Sequence, residues 1–197
     1  MAERQSKAEK TLDRILDAAL DCYEESGISQ TRLEEVARIA GIGRTTLYRY
    51  VDNRDDLLNK VLLRDAREQQ AEMALLTRYH DSLGDILVDT VVHVIRGRRN
   101  RPINRLLFGG SDSDLIDRIN LSPGNFLPLV RETLAPPFER ARSKGEIREV
   151  VTLDMACDWV TRVILSLVTY PGEFLDDEDA LRQYLRAFLV PSIITNT

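Results

Sequence analysis

Apolar residues in the first third of the chain recur every three to four positions, and the rhythm is reset wherever glycine, asparagine or a polar pair intervenes. Leu12, Ile15, Leu16, Ala19, Cys22 and Tyr23 share one helical face, which ends near Ser26-Gly27 with Gly27 as its cap. The opposite face is acidic: Asp13, Asp17, Asp21, Glu24 and Glu25. Residues 1–9 carry Arg4 and Lys7 in a polar run without periodicity, which predicts an arm preceding that helix. Thr31 followed by Glu34 has the spacing of a capping box, so a second helix is expected from Arg32 through Leu33, Val36, Ala37 and Ala40. Gly41 suits a sharp turn, Ile42 plugs it, and Gly43 caps a helix from Arg44 to Val51, with Leu47 and Val51 facing inward. Asn53, with Asp56 three residues on, caps a fourth helix striped by Leu57, Leu58, Val61, Leu62 and Ala66, running past Met73 before Gly84.

Beyond about residue 82 the helices become longer and more apolar. Leu83, Ile86, Leu87, Val91, Val94 and Ile95 define one that Arg96-Gly97-Arg98-Arg99-Asn100-Arg101-Pro102 is expected to interrupt. Its four arginines in six residues suit a DNA flank, an anionic effector or a solvated basic turn at a helix C-terminus. Ile103 to Phe108 reads as a short helix stopped by Gly109-Gly110, and Ser111-Asp112 caps another through Ile119. Phe126, Leu127, Val130, Thr133, Leu134 and Phe138 keep a helical period that Pro136-Pro137 should bend or break, the alternatives being a break that leaves a cavity and a kinked core helix. Thr152 to Thr169 is apolar on most of its circumference, and Asp176 to Asp179 open a last helix striped by Leu181, Tyr184, Leu185, Phe188 and Leu189. The chain is therefore all-α.

Residues 31–54 then acquire a chemical meaning. The outward face of the third helix interleaves Arg44, Thr45 and Arg49 with Thr46, Tyr48 and Tyr50, and no carboxylate falls between Glu35 and Asp52. Guanidinium groups can take guanine O6 and N7, threonine offers thymine a hydroxyl and a methyl, and phenols donate to phosphate. A helix-turn-helix places its second helix in the major groove, so this stretch predicts a DNA reader. Arg32, at the start of the second helix, is a candidate backbone contact.

Composition narrows the kind of binding. The 197 residues are 43% hydrophobic with a net charge of −5, which excludes an indiscriminate nucleic-acid coat and suits a local basic face on an acidic body. Cys22 and Cys157 each fall in an apolar helical pattern, as buried thiols do. No apolar leader or eighteen-residue uncharged apolar span appears, so the expected location is cytoplasmic, at the nucleoid when bound to DNA. The two histidines, His80 and His93, belong to no catalytic or metal-binding motif, so neither an enzyme nor a cofactor is expected. His93 sits in an apolar helix, as a core histidine with a local hydrogen bond or as an effector contact.

The stretch EEVARIAGIGRTTLYRYVDNRDDLL resembles the DNA-binding signature of the TetR family of bacterial transcriptional regulators, over roughly residues 10–65. Val36-Ala37, Gly41, Leu47-Tyr48, Val51 and Arg54 fall on that pattern, with Gly43 for a frequent serine, Val51 for a frequent phenylalanine and Arg54 for a frequent lysine. The resemblance implies a helix-turn-helix domain over residues 1–53 and a ligand-binding and dimerisation bundle over residues 54–197. It assigns Arg54 to a phosphate, the last two helices to a homodimer interface, and an effector pocket to the bundle. Val91, Ile95, Phe108, Phe126, Val130 and Trp159 are apolar residues of that region and candidates to line the pocket. The implied mechanism is repression of a palindromic operator, relieved when a small molecule shifts the fourth helix and moves the reading heads off the about 34–36 Å repeat of the major groove. A regulator that binds DNA only with its effector, or a helical adaptor that binds protein, are the alternatives.

Overall fold

The computed structural model describes residues 2–77, 79–103, 106, 123–170, 172 and 176–195, and among them the secondary structure is helical apart from one isolated antiparallel bridge, Ile147 to Ile194. The all-α expectation holds. Helices are α1 (Ala2–Ser26), α2 (Leu33–Ile39), α3 (Arg44–Leu47), α4 (Arg54–Thr77), α5 (Leu83–Asn100), α6 (Pro123–Ser143), α7 (Leu153–Thr169), α8 (Glu178–Phe188) and α9 (Val190–Ile193).

The chain divides into two compact units, one of Met1–Asp65 with Arg101–Asn120 and one of Ala66–Asn100 with Leu121–Thr197. The unit holding the helix-turn-helix thus runs past residue 53 into α4. Arg101 joins it through an ion pair to Asp65 at 2.9 Å. Inside this unit the apolar faces read from the sequence converge: Ile15, Ala19, Cys22, Val36, Ala37, Leu47, Val51, Leu57 and Val61 are buried. Burial also pushes the Cys22 thiol above its ordinary range, so it stays protonated. The acidic face of α1 is exposed at Asp13, Asp17, Asp21, Glu24 and Glu25, and Arg64 of α4 reaches Asp17 at 2.7 Å.

In the second unit α5 is central, packed by α6, α7, α8 and α9. Leu87, Val91, Ile95, Leu134, Phe138, Ala156, Cys157, Val160, Leu181 and Leu185 form its core. Thr152 caps α7 by accepting from the Met155 amide at 3.2 Å. Asp177 caps α8 by accepting from Asp179 and Ala180 at 2.9 and 3.2 Å, so acidic residues sit at its positive end as expected.

Four expectations are corrected. The polar segment before Lys10 is helical from Ala2 onward, continuing α1. The basic run after Ile95 does not interrupt its helix, because α5 continues to Asn100, where Arg96 pairs with Glu178. Pro136-Pro137 does not break α6, which runs through its three interior prolines and is held by the burial of Leu134, Pro137 and Phe138 around the missing amides. Thr31 does not cap α2: its hydroxyl donates backward to the Gly27 carbonyl at 2.9 Å, and α2 starts at Leu33 after an extended Arg32. The expected helices at 103–108 and 112–119 lie outside the described residues. No helix among the described residues is long and apolar enough to cross a membrane.

Candidate nucleic-acid interface

The turn between α2 and α3 is built on one backbone conformation. Gly41 has φ +64°, a region in which a side chain crowds its own carbonyl. With that reversal the Ile42 amide reaches the Ala37 carbonyl at 3.0 Å and the Gly41 amide reaches that of Arg38 at 3.1 Å. This is a Schellman closure of α2. A second hold comes from α1, where the Arg14 guanidinium donates to the Ala40 carbonyl.

Gly43, extended at φ −74° and ψ 152°, stands at the N-cap of α3 as expected. The regular helix is only Arg44–Leu47, shorter than the two turns anticipated. Tight turns carry the chain on, Tyr50 donating to Leu47 at 2.8 Å and Val51 to the same carbonyl at 3.1 Å. Leu47 and Val51 anchor the inner side, at 0% and 1% exposure. Arg44, Thr45, Tyr48 and Arg49 are consequently exposed together, while Thr46 and Tyr50 are half-buried at the edges. Arg32 is exposed in the extended segment leading into α2. Arg44 has a neighbour not anticipated from the sequence, the Glu34 carboxylate at 3.7 Å.

Arg54 is placed differently from the rest. Its Nη2 donates to the Ile28 carbonyl at 3.1 Å and also to that of Ser29, so the guanidinium holds the turn between α1 and α2. Asn53 caps α4 as expected, accepting from the Asp56 amide at 2.9 Å, and the Asp56 carboxylate returns to the Asp52 amide at 2.9 Å. Beneath this turn the Tyr23 phenol is buried, and desolvation raises its pKa far above the ordinary value, so it remains neutral.

Four of the six candidate pocket residues have described side chains. Val91 and Ile95 belong to the core, Val130 is half-buried against its neighbours, and Trp159 is 44% exposed on α7. Phe108 and the Phe126 side chain lie outside the described residues. His93 Nε2 lies 3.1 Å from Glu72 Oε2 on α4 but makes no hydrogen bond, so the local hydrogen bond expected of a core histidine is not formed there. A separate cleft of about 310 Å³ opens in the second unit, lined by Gln70, Ala74, Ile86, Glu132, Thr133, Pro136, Pro137 and Arg140.

A short helix that presents arginines, hydroxyls and phenols beyond a glycine-reversed turn defines a helix-turn-helix DNA-binding regulator of transcription. Residues 15–61 match the family model for bacterial regulatory proteins of the tetR family. The chain is 26% identical over 194 residues to an uncharacterised helix-turn-helix-type transcriptional regulator of Mycobacterium tuberculosis, covering 95% of this chain and 87% of that one. It is 24% identical over 203 residues to the transcriptional regulator UidR of Escherichia coli, covering 96% of each. Among solved structures, RolR in complex with resorcinol superposes with a TM-score of 0.72 at 16% identity, covering 96% of this chain and 90% of that one. The TetR-family repressor AlkX of Dietzia gives a TM-score of 0.68 at 20% identity, covering 91% and 92%. The helix-turn-helix segment is thus one of the tetR family of bacterial regulatory proteins, and the relatives that match nearly the whole chain are helix-turn-helix-type transcriptional regulators. Members of this family act by binding DNA, not by catalysis.

Proposed function

We propose that the protein is a repressor that binds a palindromic operator as a homodimer and leaves it when a small molecule occupies the second unit. The observation that carries this reading is the joint exposure of Arg44, Thr45, Tyr48 and Arg49 on one side of a buried Leu47–Val51 anchor. In it Arg44, Thr45 and Arg49 read base edges, Thr46, Tyr48 and Tyr50 hold phosphates, and Arg32 adds a backbone contact. Arg54, engaged with Ile28 and Ser29, acts by holding the turn behind α2.

Dimerisation through α7 and α8 is supported by large apolar side chains left in solvent on both helices. Met155 and Trp159 on α7 are 54% and 44% exposed, and Tyr184 and Phe188 on α8 are 38% and 66% exposed. A second copy related by a two-fold axis would cover them and supply the second reading head that a palindrome requires. The continuous α4, which contributes to both units, is the element through which an effector would act on the readers.

The test is enrichment of random duplex DNA by the wild-type protein and by an Arg44→Ala/Tyr48→Phe variant. A palindrome enriched by the wild type alone is the expected result. Equal enrichment by both would remove α3 as the reader.

A further inference from the structure

The cleft on α6 is unusual in what its wall lacks. A helical carbonyl normally receives the amide four residues on, or three residues on where the helix tightens. Pro136 has no amide for the Glu132 carbonyl, and Pro137 has none for that of Thr133. Thr133 loses both choices, because the residue three positions on is Pro136. No side chain among the described residues donates to either oxygen, the Thr133 hydroxyl itself donating to the Leu129 carbonyl at 3.1 Å. Both residues line the cleft.

The rest of the wall extends this bias toward acceptors. Glu132 is exposed, and the Gln70 side chain of α4 holds it, donating to Glu132 Oε2 and to the Leu129 carbonyl, both at 3.2 Å. One carboxylate oxygen is thereby left over, beside the Thr133 carbonyl, which has neither amide, whereas the Glu132 carbonyl keeps that of Ala135 three residues on. Ile86, Ala74 and the two prolines supply apolar surface, and Arg140, one turn further along α6, also lines the cleft and is exposed.

We infer that this cleft binds a small primary ammonium compound with an apolar body, its N–H groups donating to the Thr133 carbonyl and to the free oxygen of the Glu132 carboxylate, which its charge also faces. The inference rests on the ligand-released reading and gives its effector a chemical class. A cation without N–H groups would keep the attraction to Glu132 but leave the Thr133 carbonyl unanswered. A neutral hydrocarbon of the same shape would satisfy neither.

Titration calorimetry of the full chain with phenethylammonium, and with its N,N,N-trimethyl analogue, separates these contributions. The primary ammonium should bind at least about tenfold more tightly, the equivalent of one charge-assisted hydrogen bond. Pro137→Ala returns an amide to the Thr133 carbonyl inside a helix that alanine favours, so the variant folds, and it should weaken the primary ammonium about tenfold while leaving the trimethyl compound unchanged. Glu132→Gln should weaken both. Equal binding of the two probes, or binding of phenethylammonium that Pro137→Ala does not alter, overturns the assignment. Operator affinity measured with phenethylammonium bound is a separate readout: release supports both proposals, whereas binding without release establishes the cleft and overturns the ligand-released reading.

Discussion

Arg44 Nη1 lies 3.7 Å from Glu34 Oε1, an ion pair that joins the first residue of α3 to the first turn of α2. With the side chains 71% and 43% exposed it contributes little to stability. Its importance is to binding, because DNA must draw Arg44 away from the carboxylate. Glu34→Gln should therefore raise operator affinity about threefold at low salt, with the gain shrinking as salt screens the pair. Titrations at two ionic strengths check this, and the preferred sequence should stay the same.

The exposed face of α3 divides into readers and holders. Arg44→Ala should cost about 1–3 kcal/mol of binding and relax preference at one or two base positions. Tyr48→Phe, at a side chain 50% exposed, should weaken all sequences alike. Competition binding against single-base operator variants distinguishes the two patterns.

Arg54 is engaged by carbonyls, and its removal should register in folding before it registers on DNA. Arg54→Ala is expected to lower stability by about 1 kcal/mol, seen as an earlier denaturant midpoint, once two charge-assisted bonds are discounted for exposure. The salt dependence of DNA binding should keep its slope. A slope reduced by about 1 would instead make Arg54 a phosphate ligand.

Two glycines two positions apart should answer differently to substitution. Gly41→Ala puts a side chain at φ +64° and should destabilise the protein by about 1–2 kcal/mol. Gly43→Ser meets open space at an ordinary φ and offers α3 the hydroxyl cap it lacks, so it should be neutral or stabilising by a few tenths of a kcal/mol. Urea denaturation of both variants makes the comparison.

The Tyr184 and Phe188 rings lie 5.0 Å apart on the outer side of α8, and Phe188 is 66% exposed. Phe188→Asp should leave the monomer's fold intact, as judged by circular dichroism, and shift sedimentation from dimer to monomer. A variant that still sediments as the wild type does would move the interface elsewhere.

The parts of the fold that were legible in the sequence depend on neighbours in the chain. Gly41 announced the turn because only glycine adopts that reversal freely, and the stripe from Leu57 to Leu62 announced α4 because both its period and its cap are local. Thr31 misled because a hydroxyl can serve the amide ahead or the carbonyl four residues behind, and spacing does not choose between them. The holds from Arg14 to Ala40 and from Arg54 to Ile28 each span 26 residues, so no local pattern could reveal them. In α6, tertiary burial prevailed over a proline pair that by propensity alone ends a helix. The exposed face of α3 was legible for the simplest reason, since Leu47 and Val51 fix which side is out.

Those prolines also bear on how the protein would respond to selection. An interior helical proline costs about 3 kcal/mol relative to alanine, so a library screened for heat resistance would gain at Pro136, which is exposed, and less at Pro137, whose buried ring leaves a void when removed. Such a screen would restore the missing amides and close the acceptor wall of the cleft. Hardier clones recovered in this way would still grip DNA but would have lost their responsiveness to amines, and sensing and robustness would then compete for the same two positions.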